Sequence, residues 1–191
     1  MLKNNTLSTS CDYTIQNTTV KDQKAIYALF EQAITYIKRN NYVGWKTYDK
    51  SFINKDIQNQ LQFKIVANNQ ILGVFSICLE DILIWRTREK GDAVYLHRIV
   101  VNPKYKGQKQ FQKILDWTTN YAHRKGLQYI RMDTWAANPS IIAYYKTFGF
   151  AVVDTFTTPD IPDLPTQHRN LEVALLELTL LRESHETSTL V

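Results

Sequence analysis

The stretch from Leu96 to Gln112 reads LHRIVVNPKYKGQKQFQ and decides the fold of this chain. Its apolar run ends at Asn102-Pro103, because proline cannot donate to a sheet ladder and biases its predecessor away from helix. A basic turn with Lys104, Lys106 and Gly107 follows, and apolar residues at helical spacing begin directly after it. The pattern predicts strand, glycine turn and helix. Such a turn gathers unpaired N–H groups and the positive end of a helix dipole, which favours phosphate.

The residues downstream continue the alternation of helix and strand. The helix is predicted to end at Gly126, which suits a left-handed cap, after three basic residues at 123–125. Tyr129 to Trp135 is the next strand, so the order strand, helix, strand predicts a right-handed crossover and a parallel pair. Asn138-Pro139 marks another helix start, because Asn caps helices and Pro is tolerated at the first helical position.

The remaining elements are predicted from apolar periodicity and turn residues. A helix capped by Thr18 or Thr19 runs to about Lys38, and a second short helix runs from about Phe52 to Gln60. Further strands are predicted, in chain order, at Tyr13 to Gln16, Gln62 to Val66, Ile71 to Leu79, Ile82 to Trp85, Ala93 to Val101, Phe150 to Phe156 and Leu171 to Leu181. Residues 157–170 hold three prolines and form a long loop, which in a compact domain is usually functional or mobile.

Composition indicates one globular domain. The 191 residues are 44% hydrophobic and 12% aromatic, which argues against disorder. Residues 1–12 and 182–191 are predicted to be flexible tails, and residues 13–181 a single domain. The net charge of +5 suits a phosphate-bearing partner but is too small to indicate nucleic acid.

Several kinds of site and location leave no signal in the sequence. No apolar run approaches the ~20 residues of a membrane span, so no membrane partner is predicted. Without a cysteine framework or a signal peptide, a cytoplasmic location is expected. The four histidines are scattered along the chain, so no metal site is predicted. A serine-hydrolase Gly-x-Ser-x-Gly motif is also missing.

Two motifs at their expected separation resemble the GNAT superfamily of N-acetyltransferases. The turn Lys104 to Lys109, KYKGQK, keeps the first glycine of the family's phosphate-binding pattern and has lysine in place of the second. The run from Asn138 places Tyr145 seven residues later, followed by the pair Gly149-Phe150. The resemblance covers most of the chain and is strongest from Leu96 to Phe156.

The resemblance implies an α/β (α+β) fold of one GNAT-like domain. Its sheet has about seven strands, mixed and mostly antiparallel, flanked by helices, and two parallel strands splay apart to admit acetyl-CoA as co-substrate. Carried over to this chain, the cofactor-binding residues are Ile99, Val100 and Val101 along the pantetheine arm, Lys106, Gly107, Gln108, Lys109, Gln110 and Phe111 at the pyrophosphate, and Asn138 near the pantetheine.

Lys109 stands at a position where the family has glycine. A side chain there crowds the pyrophosphate if the residue needs an unusual backbone angle. Residues 108–112 are normal helix formers, so we expect an ordinary helical backbone at Lys109 with its side chain pointing outward and adding charge.

Acetyl transfer to an amine needs a neutral nitrogen. For an alkyl amine of pKa ~10.4 this costs roughly 4–5 kcal/mol at pH 7, so a general base helps. His97, Glu80 and, third, Asp133 are the candidates; the structural alternatives are a histidine packed under a helix and surface carboxylates. The resemblance makes Tyr145 the general acid for the leaving thiolate, against a core tyrosine as the alternative.

The resemblance thus predicts an acetyl-CoA-dependent N-acetyltransferase that acts on a primary amine of a small molecule or peptide. The alternative is a catalytically inactive GNAT-like module that binds CoA or a partner protein, suggested by Lys109 and Phe111 at family small-residue positions. Dimers are common in the family, so a homodimer is a further expectation. In this family the proline-rich loop often lies over the acceptor, and some aromatics at Tyr42, Trp45, Tyr48, Trp85 and Trp135 are candidates for its walls.

Overall fold

The computed structural model of the chain describes residues 13–181, so both predicted tails lie outside the described residues. The strands are β1 Thr14–Asn17, β2 Gln62–Ala67, β3 Gln70–Cys78, β4 Ala93–Val101, β5 Tyr129–Trp135, β6 Ala151–Thr157 and β7 Glu172–Thr179. The α-helices are α1 Gln23–Arg39, α2 Lys50–Gln58, α3 Ile82–Trp85, α4 Gln110–Lys125 and α5 Pro139–Lys146. None of these helices combines the length and apolar character needed to cross a membrane.

The seven strands form one sheet in the order β1-β2-β3-β4-β5-β7-β6. All neighbours are antiparallel except β4 and β5, which are parallel and joined by α4. The predicted fold class is therefore confirmed, including the crossover through α4. The cap at Gly126 is also confirmed, with φ +68° in the left-handed region.

The sheet separates the apolar core into two sides. Helix α4 packs Phe111, Ile114 and Leu115 on one face, against side chains of the central strands. Helices α1 and α2 cover the opposite face around Val74 and Val100. A third cluster on that opposite face joins α3 to the segment between β6 and β7. Alternate residues of the central strands are buried on both sides, so these strands carry the near-continuous apolar runs seen in the sequence.

Residues Ile82–Trp85 form a helical turn, so the strand predicted there is wrong. The two consecutive residues Ile84 and Trp85 are both buried in one cluster, and Trp85 packs against Tyr95 with ring centroids 5.6 Å apart. A strand would send consecutive side chains to opposite faces, whereas one helical turn brings both onto the sheet. An apolar run of four residues does not distinguish these two cases.

The β2–β3 hairpin turns at Asn68 and Asn69. Both residues have positive φ, +49° and +59°, as a two-residue hairpin turn of the favoured hand requires. Helix α1 starts later than predicted, because a single 3-10 turn at Val20–Asp22 precedes it. The Asp22 carboxylate accepts hydrogen bonds from the N–H and hydroxyl of Thr19, which fixes this entry.

Candidate active site

The parallel strands β4 and β5 separate half-way along their length. Their register runs from Ala93–Tyr129 to Leu96–Met132 and ends there, although both strands continue. A bulge lies on the diverging part of β4: between two paired positions β3 advances two residues while β4 advances three. The bulged segment includes Arg98, whose φ is +50°. A bulge bends its strand, so it accounts for the opening beside β5.

The bulge also changes which side chains of β4 share a face. Simple alternation predicts Tyr95, His97, Ile99 and Val101 together, and this is wrong. Ile99 packs on the α4 side of the sheet, the side of Leu96, while Tyr95 packs on the other. The inserted residue shifts the alternation by one, as a two-residue period requires.

A cleft of about 950 Å³ occupies the gap between the diverging strands and reaches the start of α4. Eight of the ten predicted cofactor-binding residues line it: Ile99, Val100, Val101, Lys106, Gly107, Lys109, Gln110 and Phe111. The opposite wall of the cleft comes from α1 and α5. The volume of the cleft lies within the range typical of ligand sites. The structure therefore brings together residues that the sequence separates by up to 115 positions, from Ala33 to Phe148.

One end of the cleft has the features of an anion site. The first N–H groups of α4, at Gln110, Phe111 and Gln112, have no carbonyl one turn earlier to accept from them, and all three residues line the cleft. Lys106 lines the same cleft, and its Nζ donates to the Tyr36 hydroxyl at 2.6 Å and lies 4.7 Å from the centre of that ring. A helix N-terminus with an adjacent cation suits phosphate.

Lys109 does not have the ordinary helical backbone that was predicted. Its φ and ψ are +54° and +36°, which is the left-handed conformation, at the position that caps α4. The residue supplies the carbonyl that accepts from the N–H of Lys113, so its conformation sets the direction of the helix. Residues 108–112 favour helix locally, but the chain changes direction sharply between the turn and α4, and this requires the left-handed conformation at Lys109. Glycine tolerates that conformation without strain, which explains its place in the family pattern.

Phe111 leaves the cleft open although it is bulky. Its side chain is 3% exposed and packs in an aromatic cluster with Tyr145 and Phe148, at centroid distances of 4.9 and 4.8 Å. The ring therefore fills space between α4 and α5. The large residue at this position acts as a link between two helices that form the cleft wall.

The two other predicted cofactor-binding residues lie outside the cleft lining. Gln108 is in the exposed turn before α4. Asn138 uses both ends of its amide on the protein: Oδ1 accepts from the N–H of Ile141 at 3.1 Å, and Nδ2 donates to the carbonyl of Val43 at 2.8 Å. Asn138 thus caps α5, as predicted, and also ties the α1–α2 connection to it.

Tyr145 lies where the large cleft meets a second, smaller cavity of about 60 Å³. It is 9% exposed, and burial, Tyr144 and Asp133 all raise the pKa of its hydroxyl. The hydroxyl is therefore protonated at neutral pH and available as a donor. Tyr144, next to it, is 43% exposed and lines only the large cleft.

His97 lies between two carboxylates. Its Nε2 is 3.2 Å from Asp81 Oδ2, and its Nδ1 is 3.7 Å from Asp133 Oδ1. Burial disfavours the imidazolium, but Cys78 and Asp81 outweigh it, so the pKa of His97 is raised well above its usual 6.5. The ligand atoms of these three residues lie within 4.8 Å of one another, which is a spacing open to a cation. Because each ring nitrogen faces a carboxylate, we interpret the group as an imidazolium held by two acids.

The candidate bases predicted from the sequence do not include Asp81 and His168, which the fold brings to His97 and to the smaller cavity. Glu80 is exposed and lines neither cavity, whereas its neighbour Asp81 contacts His97. His168, from the segment between β6 and β7, lines the smaller cavity together with Asp133. Its distance of 71 positions from His97 made it look isolated in the sequence. The proline-rich stretch around it was the available signal.

Two tryptophans wall the junction of the two cavities. Trp45, from the connection between α1 and α2, and Trp135, at the end of β5, line both cavities and meet edge to face at 5.8 Å. Trp45 also stacks on Phe30 of α1 at 5.4 Å. Of the other aromatics considered, Trp85 is fully buried in the core and Tyr42 is exposed beside Tyr36.

A model of the acetyltransferase (GNAT) family matches residues 24–150, about two thirds of the chain. The chain belongs to the GNAT acetyltransferase family. An uncharacterised N-acetyltransferase of Methanocaldococcus jannaschii is 25% identical over 143 residues, which cover 72% of this chain. The match spans 60% of that relative, which is less than two thirds of its length. Family membership confirms the resemblance seen in the two motifs.

Solved structures of GNAT proteins share the fold. An acetyltransferase of the GNAT family from Listeria monocytogenes has a TM-score of 0.70 and 16% identity, covering 88% of this chain and 95% of that one. The ribosomal-protein-S18-alanine N-acetyltransferase of Escherichia coli has a TM-score of 0.62 and 16% identity, covering 91% and 98%. At these identities the likeness concerns the fold alone.

Proposed function

We propose that this GNAT protein is an acetyl-CoA-dependent N-acetyltransferase that transfers acetyl directly to a primary amine of a small molecule or peptide. The observation that carries the proposal is the cleft between β4 and β5, whose lining includes Lys106, the first residues of α4 and Tyr145. A long ligand with an anionic end and a reactive end fits such a cleft. Family membership and the name of the Methanocaldococcus relative support the same reaction class.

The residues of the cleft fit the parts of acetyl-CoA. Lys106 and the first N–H groups of α4 would hold the pyrophosphate, and the unpaired edge of β4 at Ile99 to Val101 would accompany the pantetheine arm. The co-substrate supplies the activated acetyl group as a thioester. The apolar walls from Ile37, Ile141 and Phe148 would exclude water from that arm.

The chemistry assigned to the protein is proton transfer and positioning. A thiol of pKa ~8.5 is a fair leaving group, and a buried phenol such as Tyr145 can protonate it as it departs. Main-chain N–H groups on the diverging part of β4 are candidates for stabilising the oxyanion. The acceptor nitrogen would approach from the smaller cavity, because that cavity meets the cleft at Tyr145.

Isothermal titration with acetyl-CoA, followed by a thiol-release assay over a panel of amines, tests the proposal. We expect binding in the micromolar range and turnover with at least one primary amine. Absence of heat at millimolar acetyl-CoA would contradict the proposal. Binding without turnover of any amine would instead support a non-catalytic CoA-binding module.

A further inference from the structure

Polar side chains surround the smaller cavity, a space of about 60 Å³. His97 and Asp133 come from β4 and β5, His168 comes from the β6–β7 connection, and Tyr145 closes the side toward the large cleft. A space of this size admits an amine head group and its first carbons. The tryptophan pair at 45 and 135 restricts the width of whatever enters.

Asp133 gives the cavity a carboxylate that faces His97 without a close hydrogen bond to it. Its side chain is 6% exposed, and its 3.7 Å contact with His97 is longer than a hydrogen bond. Asp81 and Asp133 together outnumber the single imidazolium between them. Arg98 also lines the cavity, but its guanidinium does not alter this balance, because it is paired with Asp56 through two contacts. The cavity therefore favours a cationic head group.

The two histidines of the cavity have pKa values shifted in opposite directions. The contacts of His97 with Asp81 and Asp133 and its raised pKa favour the imidazolium, which has no lone pair with which to accept a proton. Burial lowers the pKa of His168 below 6.5, and His97 and Arg98 act in the same direction, while Asp133 and Asp81 oppose them. The lowered pKa favours the neutral imidazole of His168, which has a lone pair with which to accept a proton.

The segment that carries His168 is fixed in place by its own hydrogen bonds. The N–H of His168 donates to the carbonyl of Pro165 at 2.8 Å, and its carbonyl accepts from the buried hydroxyl of Thr158. Arg169 donates from Nε to the carbonyl of Leu164 at 2.9 Å. An imidazole on such a built loop can hold one orientation toward the cavity.

We propose that His168 is the general base of the proposed acetyl transfer, and that Asp133 receives the ammonium group of a slender primary alkylamine. This proposal rests on the proposed function. The acceptor ammonium gives one proton to His168, and the neutral nitrogen attacks the thioester carbon to form the C–N bond. The C–S bond then breaks, the thiolate takes the Tyr145 proton, and the second proton lost by nitrogen restores that phenol. One proton in total leaves through His168 to water.

The first experiment measures His168 in the whole protein by NMR titration of labelled histidine, with no acceptor present. We expect a pKa below 6.5 for His168 and one well above 6.5 for His97. A His168 that is protonated at pH 7 would overturn the proposal. This readout needs no activity and no variant.

The second experiment compares His168→Gln with the matched control His123→Gln, which changes an exposed histidine at the end of α4. The probes are n-propylamine, 1,4-diaminobutane and a short peptide with a free amino terminus. We expect kcat/KM at pH 7 to fall about 10²- to 10³-fold for His168→Gln, with loss of the acidic limb of the pH profile. His123→Gln is expected to keep the wild-type kcat/KM and the acidic limb of the pH profile.

An acceptor that is already neutral at pH 7 separates the base from a merely structural role. Methoxyamine needs no deprotonation, so His168→Gln is expected to lose less than about tenfold with it. Equal losses with methoxyamine and n-propylamine would overturn the base assignment. If His168→Gln turns over acetyl-CoA and keeps the acidic limb of the pH profile, only the assignment of His168 as base is overturned. If the wild type shows no turnover, the proposed function itself is overturned.

Discussion

Tyr145 is the residue on which the proposed leaving-group step depends. Its raised pKa keeps the phenol protonated, and it borders both cavities. We expect Tyr145→Phe to lower kcat about 10²-fold, with the dissociation constant for CoA changed less than about twofold. Thiol release and isothermal titration measure the two quantities. Tyr121→Phe, on a tyrosine stacked against Trp117 of α4, is the control. A kcat unchanged by Tyr145→Phe would remove the phenol from the mechanism.

His97 is expected to make stability depend on pH. Its pKa is raised by folding, so the stabilisation is fully present below about pH 6.5 and is lost as the pH rises through the folded-state value. His97→Gln cannot titrate, so its free energy of unfolding should lie furthest below the wild type at pH 6 and approach it at high pH. Urea unfolding at several pH values checks this. A constant difference across the range would show that His97 does not change its charge.

At the residue scale, the sequence identified the candidate general acid but not the side chains that surround His97 and Asp133. Tyr145 followed from the family resemblance of the run that begins at Asn138, and it lines the cleft. Glu80 was chosen by its position near a strand end, but backbone geometry turns Asp81 toward His97 instead. His168 could not be found from spacing, because its closeness to Asp133 arises only when β7 pairs with β5.

The turn before α4 depends on the backbone conformation of Lys109, which is left-handed. A side chain in the left-handed conformation of Lys109 costs about 1–2 kcal/mol relative to glycine. We therefore expect Lys109→Gly to be about 1 kcal/mol more stable than Lys109→Ala in chemical unfolding. The same pair at Lys113, inside α4, should show the reverse order by a similar amount. The same order at both positions would mean that Lys109 is helical after all.

The bulge in β4 is held to α2 by the pair formed between Arg98 and Asp56. Arg98 donates from Nε to the Asp56 carboxylate at 2.8 Å, and both side chains are largely buried. Removing one partner strands the other charge, so Asp56→Ala should cost about 3–5 kcal/mol of folding free energy. The double variant Asp56→Ala with Arg98→Met should recover most of that loss. Urea unfolding measures both, and equal instability of single and double variants would argue against a stranded charge.

At the scale of the whole molecule, the crossover and its parallel pair were predictable from strand and helix periods, and the family resemblance supplied the mixed, mostly antiparallel sheet. The features that build the site could not be predicted from these periods. The bulge at Arg98 needs the register of β3 against β4, and the helical turn at Ile82–Trp85 needs the tertiary burial of two adjacent side chains. Trp45 reaches the cavities from a segment without regular structure, where no period exists to be detected.

The most direct test of the account is a crystal structure of this protein grown with CoA. We expect density between the diverging halves of β4 and β5, with the pyrophosphate at the first N–H groups of α4 and the sulfur near the Tyr145 hydroxyl. Density for CoA elsewhere, or a cleft left without it at millimolar CoA, would contradict the account.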